Sequence, residues 1–207
     1  MNARIAIAIV YHSGYGHTER QAQAVAKGAG AGTGDEVLLI KVEDVERHWD
    51  ALQRCDAIIF GAPTYMGSAS AQFKAFMDAT SKVIFNRFQS GGTGWQDKLA
   101  AGFTNSASRS GDKLATLQQL SIFAAQHGMH WVNLGLPPGH NASNTSEDSL
   151  NRHGFFLGAG AQSDADKGPD DGPSAADLLT AEHLGRRVAG VAHELAAGRR
   201  ALFAVPR

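Results

Sequence analysis

The first residues that could do chemistry form a short polar stretch behind an apolar run near the N-terminus. The stretch consists of Ser13, Gly14, Tyr15, Gly16, His17 and Thr18. Hydroxyl groups, glycine N–H groups and the start of a helix are donors that bind a phosphate group. The stretch holds no Lys or Arg, so these neutral donors would hold the phosphate. A plain strand-to-helix turn is the alternative interpretation.

A second stretch, behind another apolar run, suits a flat heteroaromatic ring. Pro63 fixes a bend, Gly67 leaves room for close approach, and an aromatic side chain stands beside exposed backbone amides. The alternative is that Tyr65 only covers the edge of a sheet. The candidate ring contacts are Pro63, Thr64, Tyr65, Met66 and Gly67.

A third stretch, Thr104 to Asp112, is nearly all small and polar and can supply amides and hydroxyls to the rim of a site. Its only cation, Arg109, would either meet an anionic ligand or cap the next helix. The candidate contacts are Thr104, Asn105, Ser106, Ala107, Ser108 and Gly111.

Several other kinds of site are excluded by their missing residues. No Gly-x-x-x-x-Gly-Lys-Ser/Thr stretch occurs, and Glu19 stands where a dinucleotide fingerprint needs its third glycine. The hydrolase motif Gly-x-Ser-x-Gly is also absent. His127 and His130 straddle a Gly-Met break, so we expect no metal site. We assign no catalytic side chain either.

The elements that must position the three stretches alternate between strand and helix. Apolar, β-branched runs predict five strands that are buried on both faces, and amphipathic segments between them predict five helices. Such alternation predicts an α/β fold with a doubly wound, five-stranded parallel sheet and helices on both faces. The predicted strands are Ile5–Tyr11, Glu36–Val42, Asp56–Pro63, Lys98–Phe103 and Met129–Leu134.

The three polar stretches follow the first, third and fourth predicted strands. Ligands of such sheets bind beyond the carboxyl ends of the strands, where the strand order reverses, so we expect the three stretches to form one site. The glycine-rich stretch Gly28 to Gly34 follows a helix and is interpreted as its terminator. The last helix is predicted to begin near Ser174.

Length and composition favour one ordinary soluble domain. The chain has 207 residues, 24 of them glycine, a single cysteine and a net charge of −1. One cysteine excludes a disulfide framework within the chain, and the charge balance gives no reason to expect nucleic-acid binding. No apolar run is long enough to span a membrane. We therefore expect a cytoplasmic protein with a single domain over 1–207 and excursions at about 81–97 and 135–172.

These residues resemble the flavodoxin-like FMN proteins and, more specifically, the tryptophan-repressor-binding-protein-like NAD(P)H:quinone oxidoreductases. Ser13 to Thr18 is similar to that family's Ser-x-Tyr-Gly-His phosphate loop, and Gly61 to Gly67 to its Gly-Thr-Pro-Thr-Arg-Phe-Gly segment. Phe73 to Thr80 continues the match, and Gln126 to Met129 resembles a His-His-Gly-Met segment. The resemblance covers most of the chain.

The resemblance implies a flavodoxin-like fold that binds FMN, with NADH or NADPH as co-substrate and a quinone or similar molecule as electron acceptor. It places the FMN phosphate on the first stretch and the ring against the second and third. It further implies that Trp95 and His127 line the substrate pocket, and that the protein is a homodimer or homotetramer. A flavodoxin-type electron carrier without NAD(P)H activity and a flavin-free binding module are the alternatives.

The chain departs from the family pattern in two places, and these departures weaken the expectation of a quinone or nicotinamide substrate more than the expectation of FMN. Ala107, Arg109 and Ser110 stand where the family's third loop has glycines. The stretch Gly135 to Gly172 lacks the Gly-Thr-Pro-Tyr-Gly that the family uses near the nicotinamide and quinone site.

Overall fold

The sheet runs through the centre of the molecule, with helices packed on both faces. The structure is a computed structural model, and it describes residues 4–31 and 34–204. The strands are β1 (Ala6–Tyr11), β2 (Glu36–Lys41), β3 (Ala57–Tyr65), β4 (Ser68–Ala69), β5 (Leu99–Ser106), β6 (His130–Trp131) and β7 (Ala159–Gln162). The α-helices are α1 (His17–Ala29), α2 (Trp49–Arg54), α3 (Ala71–Thr80), α4 (Asn86–Gln89), α5 (Lys113–Gln126) and α6 (Ala175–Ala204).

The strand order is β2-β1-β3-β5-β6, and neighbours along this path are parallel. All five predicted strands are present, which confirms the predicted α/β class. The order reverses between β1 and β3, so the switch point lies beyond their carboxyl ends. Within the described part of the chain, no helix has the length and apolar character that a membrane span requires.

Two apolar cores separate along each central strand because successive side chains point to opposite faces. In β1, Ala8 and Val10 face one core, and Ile7 and Ile9 face the other. The first core is aromatic and packs under α2, α3 and α5; its rings belong to Trp49, Phe60, Phe73, Phe76, Trp95 and Phe123. The second is largely aliphatic and packs under α1 and α6.

Glycines let α1 and α6 approach closely over the aliphatic core. A Cβ at Gly28 would lie 1.9 Å from the backbone oxygen of Glu182, and a Cβ at Gly185 would lie 2.0 Å from that of Val25. The predicted terminator, Gly28 to Gly34, is confirmed, because α1 ends at Ala29 with Gly30 as its C-cap; Gly28 itself still lies inside the helix. Gly32 and Thr33, from the same predicted terminator, lie outside the described residues.

The predicted excursions contain more regular structure than expected. The helix of α3 continues through a π-helical turn, Ser81–Phe85, into α4. Only His130–Trp131 of the fifth predicted strand pairs with β5, along its first half. The second half of β5 pairs with β7, from Phe103 to Ser106. The long segment between β6 and β7 thus interrupts the edge strand, and it returns to the sheet beside the carboxyl end of β5.

Candidate functional site

A pocket of about 290 Å³ opens beyond the carboxyl ends of β1, β3 and β5. This volume is at the lower end of the roughly 300–1,000 Å³ that is usual for small-molecule pockets. All three predicted stretches contribute to its wall, so the structure brings them together as expected. The lining residues are Ser13, Tyr15, His17, Thr18, Pro63, Thr64, Tyr65, Asn105, Ser106, Ala107, Ser163, Asp164, Ala165 and Lys167.

The first wall of the pocket is the N-terminus of α1. Gly16 is the N-cap residue and has a φ of 88°, a left-handed conformation that glycine adopts readily. The Ser13 Oγ accepts a 3.1 Å hydrogen bond from the N–H of Glu19 and thereby caps the third residue of the helix. The first-turn N–H groups of His17 and Thr18 have no partner within a helix and lie at its positive end. Neutral donors are therefore concentrated here, as the sequence predicts.

The second wall is a tight hairpin rather than an open loop. Strand β3 continues through Tyr65 and pairs antiparallel with β4 across a two-residue turn. Both turn residues have positive φ values, 49° for Met66 and 83° for Gly67, as type I′ hairpins require. The Tyr65 ring packs edge-on against Tyr15, with 6.2 Å between the ring centres. The two tyrosines form an aromatic rim where the first two walls meet.

The third wall is held by hydroxyl groups beneath it. The Thr64 Oγ1 lies 2.8 Å from both Thr104 Oγ1 and Thr116 Oγ1, which fixes β3, β5 and α5 relative to one another. The Asn105 amide donates a 2.9 Å hydrogen bond to Ser163 Oγ. Ser106, at the end of β5, lines the pocket beside them. The end of β5 is therefore fixed from both sides.

A fourth wall, which the sequence does not predict, follows β7 and consists of residues 163–167. His17 Nε2 lies 3.1 Å from the backbone oxygen of Lys167. Beyond this wall, Arg20 pairs with Asp170 at 3.1 Å, and a Cβ on Gly16 would lie 2.8 Å from the Pro169 side chain. These contacts place the segment across the N-terminus of α1. No motif signals it, because its position depends on the pairing of β7 with β5.

Some predicted contacts do not line this pocket, although each belongs to a stretch that does. They are Gly14, Gly16, Met66, Gly67, Thr104, Ser108 and Gly111. Gly14 is needed for close approach, since a Cβ there would lie 2.7 Å from the Tyr65 hydroxyl oxygen. Met66 is fully exposed at the tip of the hairpin.

Trp95 and His127 lie together elsewhere in the molecule. Their ring centres are 4.9 Å apart, and both line another cavity, of about 250 Å³. His127 Nε2 lies 2.9 Å from Thr80 Oγ1, and burial lowers the pKa of His127 to about 4. Trp95 is buried, and its indole nitrogen has no hydrogen-bond partner. Of the described residues, none lines both this cavity and the pocket of the three stretches.

Residues 34–142, more than half of the chain, match the family described as NADPH-dependent FMN reductase. The protein belongs to this family. It is therefore an oxidoreductase, and its cofactor is FMN, as the resemblance implied. The first and third walls fit such a cofactor, because a helix N-terminus with hydroxyl donors suits its phosphate and a rim of amides and hydroxyls suits its ring.

Individual relatives are similar to this protein over nearly its whole chain. Flavodoxin FldP of Pseudomonas aeruginosa is 45% identical over 191 residues, which cover 90% of this chain and 96% of the relative. An NAD(P)H dehydrogenase (quinone) of Geotalea uraniireducens is 31% identical over 212 residues, covering 92% and 98%. The solved structure of a flavodoxin, WrbA-like protein from Agrobacterium tumefaciens is 43% identical with a TM-score of 0.69, covering 92% and 98%. These similarities confirm the predicted flavodoxin-like fold.

Proposed function

We propose that this protein is an FMN-dependent oxidoreductase that transfers two electrons, as hydride, from NADH or NADPH to a quinone or a similar acceptor. The observation that carries the proposal is the convergence of the three polar stretches on one pocket at the switch point of the sheet. The relative from Geotalea uraniireducens, named NAD(P)H dehydrogenase (quinone), supports the choice of substrates.

The first wall would hold the FMN phosphate. Ser13 and Thr18 offer hydroxyl groups, and the first turn of α1 offers backbone N–H groups at the positive end of the helix. Among the described residues that line the pocket, Lys167 is the one Lys or Arg, and it is paired with Asp164 at 3.1 Å. Neutral donors would therefore supply most of the binding energy for the phosphate.

The second and third walls would hold the ring. FMN supplies the redox chemistry when bound, because its ring accepts hydride from a nicotinamide and delivers it to an acceptor. Tyr65 covers one side of the site with its ring, and Pro63 lines the wall without an N–H group of its own. Asn105 and Ser106 are buried and fixed by hydrogen bonds, so they would orient the ring without rearranging.

The rim of the pocket would admit a second flat molecule. Tyr15 is 75% exposed, and Met66 has no contact that buries it. Exposed aromatic and apolar side chains beside a pocket are typical of surfaces that a ligand covers. The nicotinamide and the acceptor would therefore use the same opening in turn.

We also propose that the chain is a single domain that assembles as a homodimer or homotetramer. Trp95 and His127 face a different cavity from the pocket of their own chain. If they line a substrate pocket, as the resemblance implies, that pocket belongs to a second copy. Light scattering coupled to size exclusion tests the assembly, and a monomeric holoprotein would contradict it.

A flavodoxin-type electron carrier is the second candidate function. The 45% identical relative is named a flavodoxin, and four aspartates, Asp164, Asp166, Asp170 and Asp171, follow β7 beside the pocket. All four are exposed. Such a surface favours a basic protein partner over an anionic small molecule.

Turnover distinguishes the two candidates. Apoprotein is first reconstituted with FMN and separated from free flavin, and the absorbance of NADH or NADPH is then followed with benzoquinone as acceptor. The proposal expects consumption of one nicotinamide per quinone, with ping-pong kinetics because one opening serves both substrates. Holoprotein that binds FMN but oxidises neither nucleotide would favour the carrier. Protein that takes up no FMN would contradict both.

A further inference from the structure

A buried lysine lies directly beneath the third wall of the pocket. Lys113 is the first residue of α5, and none of its side chain is exposed. Its Nζ donates to the Ser106 Oγ at 2.7 Å and to the backbone oxygen of Ser108 at 2.8 Å. The Ser106 hydroxyl itself donates to the same Ser108 oxygen at 2.9 Å. The carbonyl of Ser108 is therefore held by two donors.

The neighbouring carbonyl is held in the same way from β7. The side-chain amide of Gln162 donates to the backbone oxygen of Ala107 at 2.9 Å. The backbone N–H of Gln162 donates to Asp177 Oδ2 at 3.0 Å, which ties this donor to the start of α6. Two consecutive carbonyls of the loop thus have fixed directions.

Fixed carbonyls also fix the N–H groups that share their peptide units. In a trans peptide the N–H points opposite to the C=O. The oxygen of Ala107 shares its peptide unit with the N–H of Ser108, and the oxygen of Ser108 shares its unit with the N–H of Arg109. Both N–H groups therefore point away from Gln162 and from the buried Lys113.

We propose that Lys113 is a positioning residue that holds the 106–111 loop, of which Ser106 and Ala107 line the pocket, so that the N–H groups of the loop are directed away from the lysine and towards the ring of FMN. The proposal rests on the proposed function for the identity of the ligand. It explains how a loop with Ala107 and Arg109 in place of the family's glycines keeps a defined shape. The rigidity comes from a donor beneath the loop instead of from packing above it.

The bend that brings Lys113 under the loop requires a glycine. Gly111 has a φ of 53°, and a Cβ there would lie 2.1 Å from Ser106 Oγ, where it would displace the hydroxyl that Lys113 binds. The next residue, Asp112, has a φ of 55°. Two consecutive left-handed residues turn the chain back so that the lysine side chain reaches Ser106.

The charge of Lys113 adds a pH dependence. Burial lowers its pKa to about 8; Asp177 of α6 opposes this shift, and Arg152 of the segment before β7 adds to it. At pH 7 the amino group is charged, and it loses that charge as the pH rises through 8. The neutral amino group still has two N–H donors for Ser106 and Ser108. We therefore expect the loop to stay in place above pH 8, and ligand affinity to fall because the Ser108 carbonyl loses a charged donor that polarises its peptide unit and strengthens the N–H of that unit as a donor.

Backbone order parameters from NMR relaxation of the apoprotein test the positioning without any ligand. Lys113→Met removes both hydrogen bonds, and Lys98→Met is the matched control. Lys98 is also largely buried and donates to two backbone oxygens, but it precedes β5 at the opposite edge of the sheet. We expect the order parameters of 106–112 to fall from about 0.85, a rigid backbone, to below about 0.6 in Lys113→Met. Lys98→Met should leave this segment unchanged. Equal order parameters in wild type and Lys113→Met would overturn the proposal.

Ligand affinity supplies the second readout, by quenching of flavin fluorescence at pH 7 and pH 9. We expect Lys113→Met to weaken FMN and riboflavin by the same factor, about tenfold, because the loop faces the ring and not the phosphate. Loss of FMN affinity alone, or an equal loss in Lys98→Met, would overturn the proposal. If Lys113→Met does not fold, the order parameters of wild type across 106–112 decide: values near about 0.85 support a held loop, and values below about 0.6 contradict it. Failure of wild type to bind either flavin refutes the proposed function, while the order parameters still decide the role of Lys113.

Discussion

The two edges of the sheet use a buried lysine for different purposes. At the amino edge, Lys98 donates to the backbone oxygens of Gln53 and Cys55, at the end of α2. At the carboxyl edge, Lys113 donates to Ser106 and to a backbone oxygen of the pocket loop. Burial lowers the pKa of both lysines. The same chemistry therefore closes a helix end at one edge and shapes a binding loop at the other.

The difference shows that burial of a polar group does not by itself identify a functional site. The carbonyls that Lys98 holds belong to a helix end packed against protein. The loop that Lys113 holds has its other side on a pocket. In parallel sheets, ligands bind beyond the carboxyl ends of the strands. The position of each lysine on the sheet therefore indicates whether its role is structural, as for Lys98, or connected to the pocket, as for Lys113.

Removing the charge of Asp177, at the carboxyl edge, should have the largest effect on the free energy of unfolding. Its oxygens accept two 2.8 Å hydrogen bonds from Arg152 and one from the Gln162 N–H. Burial alone would raise its pKa, but hydrogen bonds from Arg152, His153 and the Gln162 N–H lower it to about 2. Asp177→Asn should reduce the free energy of unfolding by roughly 3 kcal/mol, because the largely buried guanidinium of Arg152 loses its bidentate carboxylate and keeps only its contact with Glu147.

Urea unfolding at several pH values measures this effect and its sign. The Asp177 pKa is depressed in the folded state, so its contribution is present above about pH 4 and is lost as the pH falls towards 2. The difference between wild type and variant should shrink over that range. Asp56→Asn is the control at the amino edge, since its exposed carboxylate accepts one hydrogen bond from the Ala6 N–H. A loss at Asp56 equal to that at Asp177 would contradict the comparison.

The central sheet could be predicted from sequence because its strands carry continuous apolar runs. β7 could not, because Ala159–Gln162 is short and built of small residues. Its strand conformation depends on pairing with β5 and on the space at Gly160, where a Cβ would lie 2.4 Å from the Phe155 ring. The edge strand is defined by tertiary contacts that no local pattern encodes.

The residues of the site also divide into those that could be predicted from sequence and those that could not. The three stretches directly after strands could be predicted, because a parallel sheet brings the ends of its strands together. The wall at 163–167 could not, since it follows β7. Lys113 was also missed, because a lysine at the start of a helix is usually exposed. Only the bend at Gly111 turns it inward.

Lys98→Met should have the next largest effect on the free energy of unfolding, and it should leave FMN affinity unchanged. Without the lysine, the oxygens of Gln53 and Cys55 lose a buried donor, which should cost about 2 kcal/mol. Urea unfolding measures the loss, and quenching of FMN fluorescence at a temperature where the variant is folded measures affinity. FMN affinity should equal that of wild type. A change in affinity would show that the amino edge also shapes the pocket.

Ser13→Ala should lower FMN affinity about tenfold, which corresponds to ~1.4 kcal/mol, through loss of a hydroxyl donor to the phosphate. The variant also loses the hydrogen bond from the Glu19 N–H to Ser13 Oγ. Riboflavin, which has no phosphate, is the matched ligand and should bind the variant and wild type equally. Weakening of both ligands would mean that Ser13 acts on the ring, and the phosphate would then need another wall.

The smallest effect concerns backbone strain at the two edges. Met66 at the carboxyl edge and Asp97 at the amino edge both have positive φ values, 49° and 62°. Asp tolerates a positive φ better than Met does. The Asp97 Oδ1 also lies 3.3 Å from His130 Nε2. Met66→Gly should therefore raise the free energy of unfolding by about 0.5–1 kcal/mol, whereas Asp97→Gly should not raise it.

Thermal unfolding of both glycine variants measures this strain, and FMN affinity shows whether it has a function. Strained residues persist where the surrounding structure holds them, often at ligand sites. Because Met66 is fully exposed at the pocket rim, little but the turn itself holds it there. If Met66→Gly stabilises the protein and leaves the FMN affinity and KM for quinone unchanged, the strain is incidental to the hairpin. If KM for quinone rises while FMN affinity does not, the exposed side chain at the carboxyl edge contacts the acceptor.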